Sequence, residues 1–167
     1  MKIISVFYNL VAMKDALFTA IRANDLDTVK EILKDDPALV HQTDQRGSTP
    51  LLLATYYGFK ELTAALLSHG PDVNAKDGSG NTPLMGVCFK GYPEIAKLLI
   101  DNNADVNAVN FNNATALIYA ATFSQAAIAR ILLENGADKT HKDDRGNTAY
   151  DHAKMQGAKE LMDLLAP

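Results

Sequence analysis

Residues 47–58 read GSTPLLLATYYG, and residues 80–91 read GNTPLMGVCFKG. The second stretch begins 33 residues after the first, and Gly, Thr, Pro, Leu and a closing Gly recur at matching places. The same step continues outward. From Thr49 it reaches Thr82, Thr115 and Thr148; from Leu33 it reaches Leu66, Leu99, Leu132 and Leu165; from Asp72 it reaches Asp105 and Asp138. Gly47, Gly80 and Gly146 share a step on which Asn113 stands in for glycine. A fixed period of this size marks a stacked array of supersecondary units.

Each unit has a legible grammar. Thr49 is placed to cap a helix whose first position is Pro50, where a missing N–H costs nothing. Gly58 ends that helix. FKELTAALLSHG then carries Leu62, Ala65 and Leu66 at helical spacing up to Gly70, and PDVNAKDGSGN is rich in turn formers. One unit is therefore helix, turn, helix and a hairpin-like loop. Later units repeat it: TPLMGVCFKG, YPEIAKLLIDNN and ADVNAVNFNN; TALIYAATFS, QAAIARILLENG and ADKTHKDDRGN; TAYDHAKMQG and AKELMDLLAP. The first unit lacks Thr-Pro. Its segments ALFTAIRAND and LDTVKEILKDD align with the two helices, with Phe18, Ile21 and Leu33 set against Leu51, Ala54 and Leu66. Such divergence is expected where a terminal unit turns one face to water.

Composition fits this reading and narrows the function. The 167 residues, 47% hydrophobic, suffice for one continuous core, and 22% charged residues argue against wholesale disorder. The net charge of −4 offers no basic nucleic-acid footprint; Lys139, His141, Lys142 and Arg145 are diluted by Asp143 and Asp144. A single cysteine, Cys88, excludes a disulfide framework within the chain and any Cys-x-x-Cys site. No apolar run reaches the roughly 20 residues of a membrane span.

Residues 1–12, MKIISVFYNLVA, read as an N-terminal extension. One positive residue before an apolar stretch outlines a secretory signal. Tyr8 and Asn9 interrupt it and no small-residue cleavage site follows promptly, so an accessory element on the first unit is the preferred reading.

Catalytic and metal motifs are weak. GSGNTP (78–83) contains Gly-x-Gly, but its glycines fall in register with the repeat turn, and the third glycine of a dinucleotide fingerprint is missing. Cys88 and the adjacent Asp151 and His152 belong to units set well apart, so a packed cysteine is expected. His41, His69, His141 and His152 show no metal-ligand spacing. Asn-Ala-Thr (113–115) matches a glycosylation acceptor, but Thr115 already serves as the repeat cap.

The chain resembles the ankyrin repeat family. The residues that carry the likeness are Asp44, Gly47, Thr49, Pro50 and Leu51; Asp77, Gly80, Thr82, Pro83 and Leu84; Gly58 and Gly91; the pairs Leu66–Leu67 and Leu132–Leu133; and the DVNA of 72–75 with the ADVNA of 104–108. The resemblance implies an all-α solenoid of helix-turn-helix units with hairpin loops. It spans residues 13–167, as five units at about 13–43, 44–76, 77–109, 110–142 and 143–167. Departures are visible. Leu52, Met85, Ile118 and Asp151 occupy the place where the family usually has histidine, Ser124 replaces a turn glycine, and Gly86 is expected at a core leucine position, loosening the third unit. The Asn of each DVNA resembles sites that asparaginyl hydroxylases modify in the family.

The resemblance further implies recognition of another protein through the concave face, without catalysis, metal or cofactor. Carried onto this chain, the partner-binding residues are Gln45, Arg46, Ser48, Ser79, Asn81, Phe111, Asn112 and Arg145 at the hairpin tips. On the exposed side of the first helices they are Tyr56, Tyr57, Phe89, Lys90 and Phe123. Large aromatic rings recurring at water-facing positions favour a partner surface. The alternative is that these rings tuck between units, or under the N-terminal segment, as core. The expected molecule is a cytoplasmic monomer. A secreted, periplasmic or host-directed effector is the alternative if residues 1–12 belong to a signal segment.

Overall fold

The computed structural model describes the backbone of residues 2–167 and the side chains of residues 10–167. It is all-helical among the described residues. The helices are α1 (Lys2–Arg22), α2 (Leu26–Asp35), α3 (Pro50–Tyr57), α4 (Lys60–Leu67), α5 (Pro83–Lys90), α6 (Pro93–Asp101), α7 (Ala116–Thr122), α8 (Ala126–Glu134), α9 (Ala149–Met155) and α10 (Lys159–Leu165). A 3₁₀ turn, Pro37–His41, follows α2. The odd-numbered helices pack in series as an inner layer and the even-numbered ones as an outer layer, each pair forming one rung.

Local chemistry explains the inner helices. Thr49, Thr82, Thr115 and Thr148 each accept from the backbone N–H three residues on, at 3.2, 3.4, 3.3 and 3.3 Å. In the last unit Asp151 answers by accepting from the Thr148 N–H at 2.9 Å, which completes a capping box. Gly58 closes α3 at φ +78°, where a side chain would strain the backbone, and the Tyr92 ring of the next unit lies over it.

Packing follows the period. Leu66, Leu99, Leu132 and Leu165 stack as one buried column, and Leu62, Ile95, Ile128 and Leu161 as another. Ala54, Val87, Ala120 and Ala153, all fully buried, let the inner helices approach closely. Loops join the rungs from below: Asn74 and Asn107 accept through Oδ1 from the backbone N–H of Asp105 and Asp138, both at 2.8 Å.

The first unit departs from the alignment expected of it. The bonds Asn24 N–H to Ile21 O and Asp25 N–H to Ala20 O match Gly58 N–H to Thr55 O and Phe59 N–H to Ala54 O. That is a step of 34, so Leu17, Ala20 and Ile21 are the counterparts of Leu51, Ala54 and Thr55. Phe18 therefore corresponds to Leu52. The 3₁₀ turn takes up the extra residue before Asp44 restores the common register. The expected boundary after residue 12 falls inside α1, which runs unbroken from Lys2 to Arg22; the side chains of residues 1–9 lie outside the described residues.

Candidate protein-binding cleft

Along each inner helix, the positions between the core and the hairpin side face an open cleft. It measures about 1260 Å³ and runs from α1 to α7, bordered by the first two hairpins. One position per rung forms part of its floor: Thr19, Leu53, Gly86 and Tyr119. Gly86 is thus a cleft residue and not a gap in the core, which corrects the expectation of a loosened third unit. A Cβ built there would meet nothing within 4 Å.

Of the residues anticipated from sequence, Gln45, Arg46, Ser48, Tyr56, Tyr57, Asn81, Phe89 and Phe123 line this cleft. Tyr56 and Tyr57 are each 43% exposed, Phe89 41% and Phe123 39%, so none is core. The rings meet edge to face: Tyr56 on Tyr57 at 5.6 Å, and Phe89 on Phe123 at 4.6 Å between centroids. Lys90 holds its ammonium 4.3 Å from the Tyr56 ring and 5.5 Å from the Phe89 ring, which links the two pairs. Ser79, Phe111, Asn112 and Arg145 lie on hairpin tips beyond the cleft lining. Phe111, 70% exposed, leans on Gly80 and donates its N–H to Ser79 O; Asn112 O accepts from Asp144 N–H. These tips therefore bond to one another as a ladder.

Phe18, Arg22, Asp44, Leu53 and Tyr119 also line the cleft, although none of them is among the partner-binding residues expected from sequence. The 33-residue step from Leu53 through Gly86 to Tyr119 was the available signal.

One acid or amide organises each hairpin. Oδ1 of Asp44, Asp77, Asn110 and Asp143 accepts the backbone N–H groups two and four residues on, all at 2.8–3.0 Å. The second atom of each head group varies. Asp44 Oδ2 pairs with Arg22 at 2.6 Å, and Asp77 Oδ2 accepts from Asn81 at 3.3 Å. Asn110 Nδ2 donates to Asn81 Oδ1 at 2.9 Å and to the Tyr119 hydroxyl at 3.2 Å. The Tyr119 hydroxyl in turn donates to Asn81 Oδ1 at 2.9 Å, so Tyr119 is fixed in place. Asp143 Oδ2 lies 2.7 Å from His152 Nε2. Burial acts to raise the Asp143 carboxyl, but the Asn147 N–H, His152 and the Arg145 N–H together outweigh it and hold its pKa below the ordinary value.

Cys88, Asp151 and His152, the residues weighed from sequence for nucleophilic chemistry, make separate contacts. His152 faces Asp143, whereas Asp151 is absorbed in the Thr148 cap. The other ring nitrogen of His152 lies 3.1 Å from Thr122 Oγ1, whose proton is directed to Ile118 O. Cys88 is fully buried, and that burial pushes its thiol far above the ordinary range, away from the reactive thiolate. No group of three metal-ligating side chains converges among the described residues. None of the described helices is long and apolar enough to cross a membrane. Asn113 is tied to Lys142 O and holds φ +55° in the turn, the role expected of it in place of glycine.

The family description "Ankyrin repeats (3 copies)" matches residues 17–110 and 74–143, which together run from the first rung to the hairpin of the last. Over 54 residues, 32% of this chain, the sequence is 44% identical to the Serine/threonine-protein kinase VIK of Arabidopsis thaliana. The chain spans 12% of that protein's length, so the likeness concerns one segment of the relative. A recurring Thr-capped inner helix, an Asp- or Asn-pinned hairpin and a family match over most of its length place the chain in the ankyrin repeat family.

Proposed function

We propose that this chain is a non-catalytic recognition module that holds another protein in the concave cleft between α1 and α7. Ankyrin repeats generally serve as protein–protein interaction modules. The observation that carries the proposal is the contiguous set of half-exposed rings, Tyr56, Tyr57, Phe89 and Phe123, on a helical scaffold. Water gains by losing such a surface, and aromatic anchors on a rigid frame give up little conformational entropy on binding. Gln45, Arg46, Ser48 and Asn81 supply polar contacts along its border. The hairpin tips Ser79, Phe111, Asn112 and Arg145 extend the contact surface in this reading. The cytoplasmic, monomeric state belongs to the same proposal, and sedimentation of the pure chain together with the N-terminal sequence of the native protein tests both.

Affinity capture tests the cleft. One bait is the intact chain, and the other carries Tyr56→Ser, Tyr57→Ser, Phe89→Ser and Phe123→Ser, with its helical circular dichroism matched to the parent. A protein retained by the first and lost from the folded second supports the reading. Equal retention by both places recognition elsewhere.

A further inference from the structure

Resting on the cleft reading above, we infer that Gly86 opens a side-chain-sized slot for one bulky apolar side chain of an acidic partner segment. The floor position holds Leu53 on α3 and Tyr119 on α7 but no side chain on α5. The space beside Gly86 is open, since a Cβ there would touch nothing within 4 Å. Rings line the same cleft: Tyr56 from α3, Phe89 one turn along α5, and Phe123, whose centroid is 4.6 Å from Phe89 and 6.0 Å from Tyr119. Tyr119 cannot swing in to fill the space without breaking its bonds to Asn81 and Asn110. An inserted leucine, phenylalanine or similar side chain would meet apolar carbon on three sides.

The charge around the slot selects the flanking chemistry. The chain carries a net −4, and the cleft lining balances Lys14, Arg22 and Arg46 against Asp15, Asp44 and Asp77, so the cation that tips the charge beside the slot is Lys90. Asp44 is paired with Arg22, and both oxygens of Asp77 accept from its own turn. Lys90 and Arg46 have no ion-pair partner among the described residues. Lys90 lies one helical turn beyond Gly86 and holds its ammonium over the cleft-lining rings of Tyr56 and Phe89. A carboxylate beside the inserted side chain would complete that charge.

Selection from a random-peptide display library on the intact chain tests this. The expected winners share a large apolar residue with Asp or Glu close by. As synthetic peptides they should bind Gly86→Leu at least about tenfold more weakly, the scale of burying one large apolar side chain. Lys90→Glu should weaken the same peptides. Loss of fold does not explain the Gly86→Leu result, because a helix interior prefers leucine to glycine and the variant should melt no lower than the parent. Gly86→Ala, adding one methyl, is the second variant and should give a smaller loss in the same peptides. Selected peptides that bind Gly86→Leu and Gly86→Ala as tightly as the parent, yet lose the four-serine variant, overturn the slot and leave the cleft reading intact. Peptides that bind the four-serine variant as well as the parent, or a library that yields no binders, overturn both.

Discussion

Restoring the hairpin's usual acid at residue 110 should destabilise this protein. Asn110 stands where Asp44, Asp77 and Asp143 stand in the other hairpins, and its Oδ1 performs their shared task for Asn112 and Ala114. Aspartate can do the same. What it cannot do is donate from the other side of the head group. Asn110→Asp removes the bonds from Nδ2 to Asn81 Oδ1 and to the Tyr119 hydroxyl. Each is worth about 0.5–1.5 kcal/mol net, so the loss is about 1–3 kcal/mol. The residue is only 6% exposed, so the new charge gains little from water. An Asn81 flip would offer a donor but would give up its bond to Asp77. For a chain of this length, each kcal/mol shifts the melting temperature by about 2–4 °C. Thermal unfolding followed by circular dichroism should therefore show Asn110→Asp melting about 2–12 °C below the parent at neutral pH. Because Asn110 and Tyr119 share a bond, its loss combined with Tyr119→Phe should be less than additive. A variant that melts at or above the parent would falsify the reasoning, since the donated bonds would then carry no weight.

Three further outcomes follow from other sites. Thr63 is fully buried in α4 with no partner for its hydroxyl, so Thr63→Val, which keeps the shape, should raise stability by about 1–2 kcal/mol in denaturant titration. Gly47 and Gly58 both hold φ +78°, but only Gly58 has a ring against it, with a Tyr92 carbon 2.6 Å from where a Cβ would sit. Gly47→Ala should cost about 1–2 kcal/mol and Gly58→Ala more, and equal melting temperatures would contradict the contact. Asp143 has a folded pKa below its unfolded value of about 3.9, so its contribution is present above that pH and lost as pH falls through the folded value. Melting temperatures between about pH 5 and pH 2 should fall more steeply for the parent than for Asp143→Asn, and parallel curves would remove Asp143 from the account.

Architecture was legible because the period is written in residues that act locally. Thr49 caps its own helix, Gly58 ends it, and Leu66 packs on leucines one period away, so each letter declares its job without knowledge of the whole. The first unit was misaligned by one residue because α1 has no Thr-Pro to mark its start and the 3₁₀ turn hides the compensating insertion. The aromatic residues of the first helices were named from the family resemblance. Their exposure resolved the choice between surface and core that sequence left open. Gly86 was misassigned because a missing side chain reads as a core defect until its backbone is seen to face the cleft. The Asn81–Asn110–Tyr119 network was not legible at all. It joins residues 29 and 38 positions apart through head-group atoms, and no local pattern announces such a meeting.

The floor of the cleft also shapes how this molecule changes over time. Its positions are not equally free to drift. Tyr119 is bonded to Asn81 and Asn110, and its counterpart in the next unit, His152, to Asp143, so replacing either disturbs a hairpin as well as the surface. Leu53 and Gly86 carry no such polar ties: Leu53 packs partly on the core through carbon alone, and a Cβ at Gly86 would meet nothing within 4 Å. A single substitution at Gly86 would therefore reshape the surface with the scaffold unharmed, while the Tyr119 rung beyond it is conservative by construction. If the cleft binds a partner as proposed, lineages carrying this array should diverge in specificity mainly at the Gly86 rung.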